Sequence, residues 1–298
     1  MPRNLWFIVI GMAINVTGSS FLWPLNTIYL HDHLGKSLSV AGLVLMANAF
    51  TTVIGNLIGG FLYDKIGGYR SILAGSIITL LALFGLTINH DWPQYVIWLM
   101  IIGFGAGLIF PSMYAMAGTV WKEGGRRAFN AVYVAQNLGV AVGSALGGFV
   151  ASFSFDYIFI ANTFMYVVFF LLVVLTFKNI ESNSDSNVSK IPHHQPIKSD
   201  RMLYALLVLC VGYLLCWLGY VQWTATISAY TQEMGVSLRQ YSLLWTINGA
   251  LIVLGQPFVN KFIYAFLKDV KMQMIVGMSI FMGFFAVAAF ALDFCGFL

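Results

Sequence analysis

The chain predicts an all-α membrane protein that crosses the bilayer many times, and three observations carry that prediction. Apolar residues make up 59% of its 298 positions and charged ones only 9%. A soluble domain is roughly a quarter charged, so these charges are too few to solvate a surface. Apolar runs of about 20 residues, enough to cross a hydrocarbon core of about 30 Å, recur along the whole sequence. Finally, no Asp, Glu, Lys, Arg or His falls in the middle of any of these runs.

Taken in order, the runs give nine spans: 5–30, 38–63, 71–89, 94–119, 128–152, 156–177, 202–229, 241–266 and 273–293. The first is too long for a signal peptide and has no small-residue cleavage site before the next run, so it is a span. With the N-terminus in the cytoplasm, Arg3, Lys65, Arg70, Lys122, Arg126, Arg127, Lys178, Lys190, Lys198, Arg201, Lys261, Lys268 and Lys271 lie inside. Only Lys36 and Arg239 lie outside. That asymmetry is the positive-inside pattern of a multi-pass protein, here placed in the plasma membrane. It accounts for the net charge of +4 without a nucleic-acid partner. Cys210, Cys216 and Cys295 show no metal or redox spacing, so neither a metal nor a cofactor is expected.

Residues 179–200 are rich in Ser and Asn and read as a flexible cytoplasmic linker, with His193 and His194 solvated within it. On either side the sequence repeats at an offset of 200: Trp23 with Trp223, Gly35 with Gly235, Ser37 with Ser237, Asn48 with Asn248 and Gly55 with Gly255. Six spans precede the linker, so the repeat is parallel, as in transporter halves related by an axis along the membrane normal. The expected organisation is a six-helix bundle over 1–178, the linker over 179–200, and a partial bundle of three spans over 201–298. A second half that mirrored the first would carry helices 10–12 as well. The chain is therefore expected to be truncated after the ninth span, and to need those helices or a complementing fragment to function.

Several clusters stand out from this apolar background. Gly60, Asp64, Lys65, Gly67 and Arg70 fall in the loop between spans 2 and 3. Asp64 is expected just before span 3, where a carboxylate meets the partial positive charge of a helix N-terminus. The other reading is that Lys65 and Arg70 hold topology, with Asp64 as their solvated partner. In span 5, Gly139, Gly143, Gly147 and Gly148 give small-residue spacing for close helix packing. Candidate pathway residues are Asn15, Trp23 and Asn26 on span 1, Tyr114 on span 4 and Gln136 on span 5, with Tyr220, Gln222 and Trp223 on span 7 and Trp245 and Asn248 on span 8. Amides on membrane helices face protein or water rather than lipid. Each of them serves a pathway or the gluing of neighbouring helices equally well. Asp32, flanked by His31 and His33, is the nearest candidate for proton coupling.

Across essentially the whole chain these patterns resemble the major facilitator superfamily (MFS). The Gly60, Asp64, Lys65, Gly67 and Arg70 pattern matches its loop between spans 2 and 3, with Gly68 and Tyr69 where the family usually has basic residues. "GVAVGSALGG" is similar to the glycine motif of its antiporter branch, with Ser144 in place of the usual proline. The overall texture looks like bacterial multidrug-resistance efflux proteins. The resemblance implies an MFS-type helical bundle working by alternating access, with spans 1, 4 and 7 around a central pathway and spans 2, 5 and 8 flanking it. It also implies Asp64 as a conformational latch, proton-coupled export of an amphipathic small-molecule solute, and no enzymatic activity. An uptake or uniport carrier for a metabolite, or a non-transporting remnant, are the alternatives.

Overall fold

In a computed structural model the described residues are 1–180, 200–266 and 269–288. The body of the expected linker, with His193 and His194, lies outside them, as do Cys295 and the predicted end of span 9. Every regular element among the described residues is helical, and eight stretches are long and apolar enough to cross a membrane. The first stretch, Arg3–His33, is not one straight rod. Helix α1 (Arg3–Ser19) ends before a 3-10 turn at Trp23–Leu25 that contains Pro24, and a π turn follows over Tyr29–His33. Proline lacks the N–H that an uninterrupted helix needs, so it sits at the start of a new segment.

The other seven stretches are built on α2 (Leu38–Ile66), α3 (Gly68–Ile88), α4 (Gln94–Val120), α5 (Arg126–Ala151), α6 (Phe155–Leu172), α7 (Asp200–Ala225) and α8 (Leu238–Phe266), while α9 (Val270–Ala288), at the predicted ninth span, is a shorter apolar helix outside those eight among the described residues. A short helix, Ile227–Glu233, extends α7. At 29 residues, α2 is about 43 Å long at 1.5 Å per residue, so its ends project beyond the hydrocarbon.

The sequence repeat is a repeat of structure where the chain turns into α2 and α8. Gly35 and Gly235 both take positive φ, +62° and +77°. Two residues later, Ser37 Oγ accepts from Val40 N and Ser237 Oγ from Gln240 N, each at 3.3 Å. These are matching helix N-caps, and Gln240 completes a capping box by accepting from Ser237 N at 2.9 Å.

Packing in the first six helices depends on backbone-to-backbone contact. α4 lies between α2 and α3, while α1 packs on α5 and α6. On α4, a Cβ at Gly107 would meet the Thr52 carbonyl of α2, and one at Gly105 would meet Thr79 Oγ1 of α3. Asn48 Nδ2 donates to the Leu99 carbonyl across the same α2–α4 seam at 2.6 Å. Small residues let helices approach closely where lipid supplies no hydrophobic drive for association.

Gly107→Val is expected to overpack this seam, at a cost of about 1–3 kcal/mol, and to lower the thermal unfolding midpoint in detergent. A Gly212→Ala control, whose Cβ would meet nothing within 4 Å, is expected to leave that midpoint in place.

Candidate functional site

The two groups of helices meet along α5 and α8 and at one end of the bundle, the end that carries the turns at 33–38, 89–93, 152–154 and 234–237 and is predicted to face outside. There Thr27 Oγ1 donates to the Thr224 carbonyl at 2.7 Å, tying span 1 to span 7. Beside it the Trp23 ring meets Trp245 of α8 edge-on at 4.7 Å. Tyr241 Oη donates to the Trp223 carbonyl at 2.6 Å, fixing α8 against α7. A Cβ on Gly148 of α5 would strike Ser242 of α8, and one on Gly249 would come within 2.6 Å of the Asn137 carbonyl. Further toward the opposite end, Phe129 and Tyr133 of α5 and Leu251, Leu254 and Phe258 of α8 are exposed. The halves are thus joined at the predicted outer end and along residues 137–148 and 238–249.

Below the join, aromatic rings continue down α7. Trp245 lies 6.0 Å from Tyr220, which lies 5.1 Å from Trp217, which in turn lies 6.1 Å from Tyr213. Trp217 and Tyr213 are exposed. Tyr114 Oη donates to Gln136 Oε1 at 2.8 Å, pairing the two candidates on α4 and α5. Trp23, Tyr220 and Trp245 are therefore brought into one cluster that spans both halves.

Other predicted pathway residues lie elsewhere. Asn15 is buried and accepts from Tyr166 of α6 at 3.2 Å. Asn26 is buried and accepts from Tyr95 of α4 at 2.6 Å. Both amides are engaged inside the N-terminal half, because a buried amide in a dry interior is held by the nearest phenol. Trp223 does not face its repeat partner Trp23: it is buried and stacks on Phe284 of α9 at 5.6 Å. Gln222 is exposed and accepts at 2.9 Å from Thr226, just past the end of its own helix, and Asn248 is exposed on α8.

The loop between spans 2 and 3 also departs from expectation. α2 runs through Ile66, so Asp64 rides on the last turn of α2 rather than at the start of α3. It is exposed and makes no hydrogen bond or ion pair among the described residues. The charged Asp64 and Lys65 do not end the helix, which continues through Ile66 to Gly67, whose φ of +91° only glycine adopts readily. A Cβ at Gly60 would meet open space, whereas one at neighbouring Gly59 would strike Leu108 of α4. Lys65 Nζ sits 5.5 Å from the Phe61 ring, and Arg70 is exposed. In span 5, Gly139 and Gly143 face α1 and Gly147 faces Phe21 just beyond it, while Gly148 faces α8. Asp32 is exposed at the rim.

A two-part helical bundle joined at one end, with aromatic side chains between the parts, is the architecture of a membrane carrier. A sequence profile of the Major Facilitator Superfamily matches residues 8–297, and the chain belongs to that family of membrane transporters, which are not enzymes. It is 56% identical to the MFS-type transporter YttB of Bacillus subtilis (strain 168) over 298 residues, covering all of this chain and 75% of YttB. It is 24% identical to the quinolone resistance protein NorA of Staphylococcus aureus (strain MRSA252) over 273 residues, covering 89% of this chain and 69% of NorA. Among solved structures, a D-xylose–proton symporter shares the fold with a TM-score of 0.68 at 15% identity, over 96% of this chain and 74% of that one. A POT family transporter in complex with 5-aminolevulinic acid gives 0.64 at 14% identity, over 89% and 70%.

Thr27→Val removes the hydrogen bond that joins the halves while keeping the side chain's shape. At a net worth of about 1 kcal/mol, its loss is expected to speed maleimide labelling of a cysteine placed at buried Ser228 by about fivefold.

Proposed function

We propose that the protein is a secondary transporter that exports an amphipathic solute across the plasma membrane by alternating access, driven by protons, with its N-terminus in the cytoplasm. The observation that carries this reading is the join between the halves, closed at the predicted outer end by Thr27, Trp23 and Trp245, with Tyr133 of α5 and Phe258 of α8 exposed toward the other. That is the arrangement of a carrier open to the cytoplasm. The two functional units are the bundle over 1–178 and the helices over 201–298, rocking on the α5–α8 contact.

The rings of Trp23, Trp245, Tyr220 and Trp217, with the Tyr114–Gln136 pair as polar anchor, suit a planar solute with an apolar body. Asn15 and Asn26 act on this site through Tyr166 and Tyr95, as helix-positioning residues. The likeness to NorA, named for quinolone resistance, favours export of such a compound. Gly67 gives the turn after α2 its conformation, and Asp64 acts as a latch only in a state where another element reaches it.

Flux of a fluorescent planar dye into inverted proteoliposomes under an imposed pH gradient tests this reading. Gradient-dependent accumulation is expected. Trp23→Ala, which removes an aromatic pair worth about 0.5–1.5 kcal/mol, is expected to weaken dye binding about three- to tenfold. Absence of accumulation for every dye in a panel would count against export.

A further inference from the structure

The proton-binding group of such a carrier is not evident in the spans, whose middles hold no Asp, Glu, Lys, Arg or His. The structure does pair two titratable groups at the predicted outer end. His90 Nε2 lies 3.1 Å from Asp156 Oδ1, the one ion pair found among the described residues. His90 follows the C-terminus of α3, and Asp156 stands in the first turn of α6, behind the Ser154 N-cap.

Each charge therefore sits at the helix end that favours it, a cation by the carbonyl end of α3 and an anion by the amide end of α6. The other ring nitrogen, His90 Nδ1, lies 3.3 Å from the Leu86 carbonyl. Both nitrogens thus face acceptors. A neutral imidazole has one N–H and can donate to only one of them; an imidazolium donates to both.

Around this pair the other charged and titratable groups are Asp91 in the same turn, His33 and Tyr29 from the end of span 1, and Tyr95 from α4. Lys36 is held over Trp92, 4.4 Å from its ring. The His90 ring lies tilted against Phe159 at 4.7 Å, and its carbonyl accepts from Tyr29 Oη at 3.2 Å. Tyr29 in turn packs on Tyr95, which holds Asn26, the neighbour of Thr27 in the join between halves. The pair borders a pocket of about 430 Å3 that Leu238 of α8 also lines, so it stands where the halves meet solvent.

From this geometry we infer that His90 and Asp156 form a proton-operated clasp, the proton-binding site of the carrier's outer face. The inference rests on the proton-driven reading above. Protonated His90 holds the α3–α4 turn to the start of α6 and keeps the aromatic stack around Tyr29 seated under Thr27. Loss of the proton leaves one acceptor facing a lone pair, and the clasp opens. Histidine is the side chain that changes charge between about pH 5 and 8, which is the range an outward-facing proton site must read.

The test uses the full chain in lipid nanodiscs, with nitroxide labels at exposed Ile88 and Tyr157, and measures their separation by pulsed electron resonance. A narrow distance distribution at pH 5.5 that broadens at pH 8 is expected. His90→Gln and Asp156→Asn, each verified as folded by its thermal midpoint, are expected to give the same distribution at both values. In proteoliposomes the same pH step outside should change wild-type dye flux by about two- to fivefold, the size of effect one partly exposed ion pair gives. In His90→Gln that change should vanish. A pH response in His90→Gln equal to that of the wild type, or one lost in Asp32→Asn while His90→Gln keeps it, overturns the clasp. Wild-type flux indifferent to the proton gradient, with the pH-dependent distance still present, refutes proton drive and leaves the clasp standing.

Discussion

Helix α5 is packed on two faces at once, and the arrangement of the rest follows from that. Gly139, Gly143 and Gly147 bring its backbone against the first span, from Ala13 to Phe21, while Gly148 and the Asn137–Ala141 segment meet Ser242 and Gly249 of α8. In a bilayer the lipid tails are as apolar as the helix surfaces, so helices associate through close van der Waals contact and interhelical hydrogen bonds. A Cβ on any of these glycines would come within 3 Å of backbone or side chain on the neighbouring helix. The same helix therefore holds its own half together and fixes where the other half docks.

A joint made of small residues suits a carrier. It has few interdigitating side chains to withdraw when the halves move, and much of its strength comes from contacts that tilt can redistribute. Among the described residues the closing contacts above it include one hydrogen bond from Thr27 and one aromatic pair. Each is worth about 0.5–1.5 kcal/mol. Contacts of that size can hold one state without making it permanent, since a few kcal/mol of differential binding is enough to shift a two-state equilibrium.

Much of the architecture was legible in the sequence because the bilayer imposes it. Span positions follow from apolar length, and the repeat from residues such as Ser37 and Ser237, whose capping role depends only on neighbours in the chain. The candidate site was less legible. An asparagine such as Asn15 or Asn26 carries no mark in the sequence of which side it faces, and its partner, Tyr166 or Tyr95, lies on a distant helix. Repeat symmetry pointed to Trp23 with Trp223, yet Trp23 meets Trp245 because α9 offers Phe284 to Trp223. Asp64 was expected just before span 3 because the helix end was placed ahead of the charged Asp64–Lys65 pair, whereas the helix runs on to the positive-φ Gly67. His90 and Asp156, 66 positions apart in the chain, had no signal linking them until the fold set them side by side.

The central claim is that the halves exchange an outer join for an inner one about the α5–α8 contact. Paired labels on Asn130 and Phe258 report the inner end, and paired labels on Phe153 and Arg239 report the outer end. Two-site distance measurements in nanodiscs, with and without a transported dye, test the claim directly. The account predicts that the dye shortens the inner distance and lengthens the outer one together. Distances that stay fixed, or that change at only one end, would contradict it.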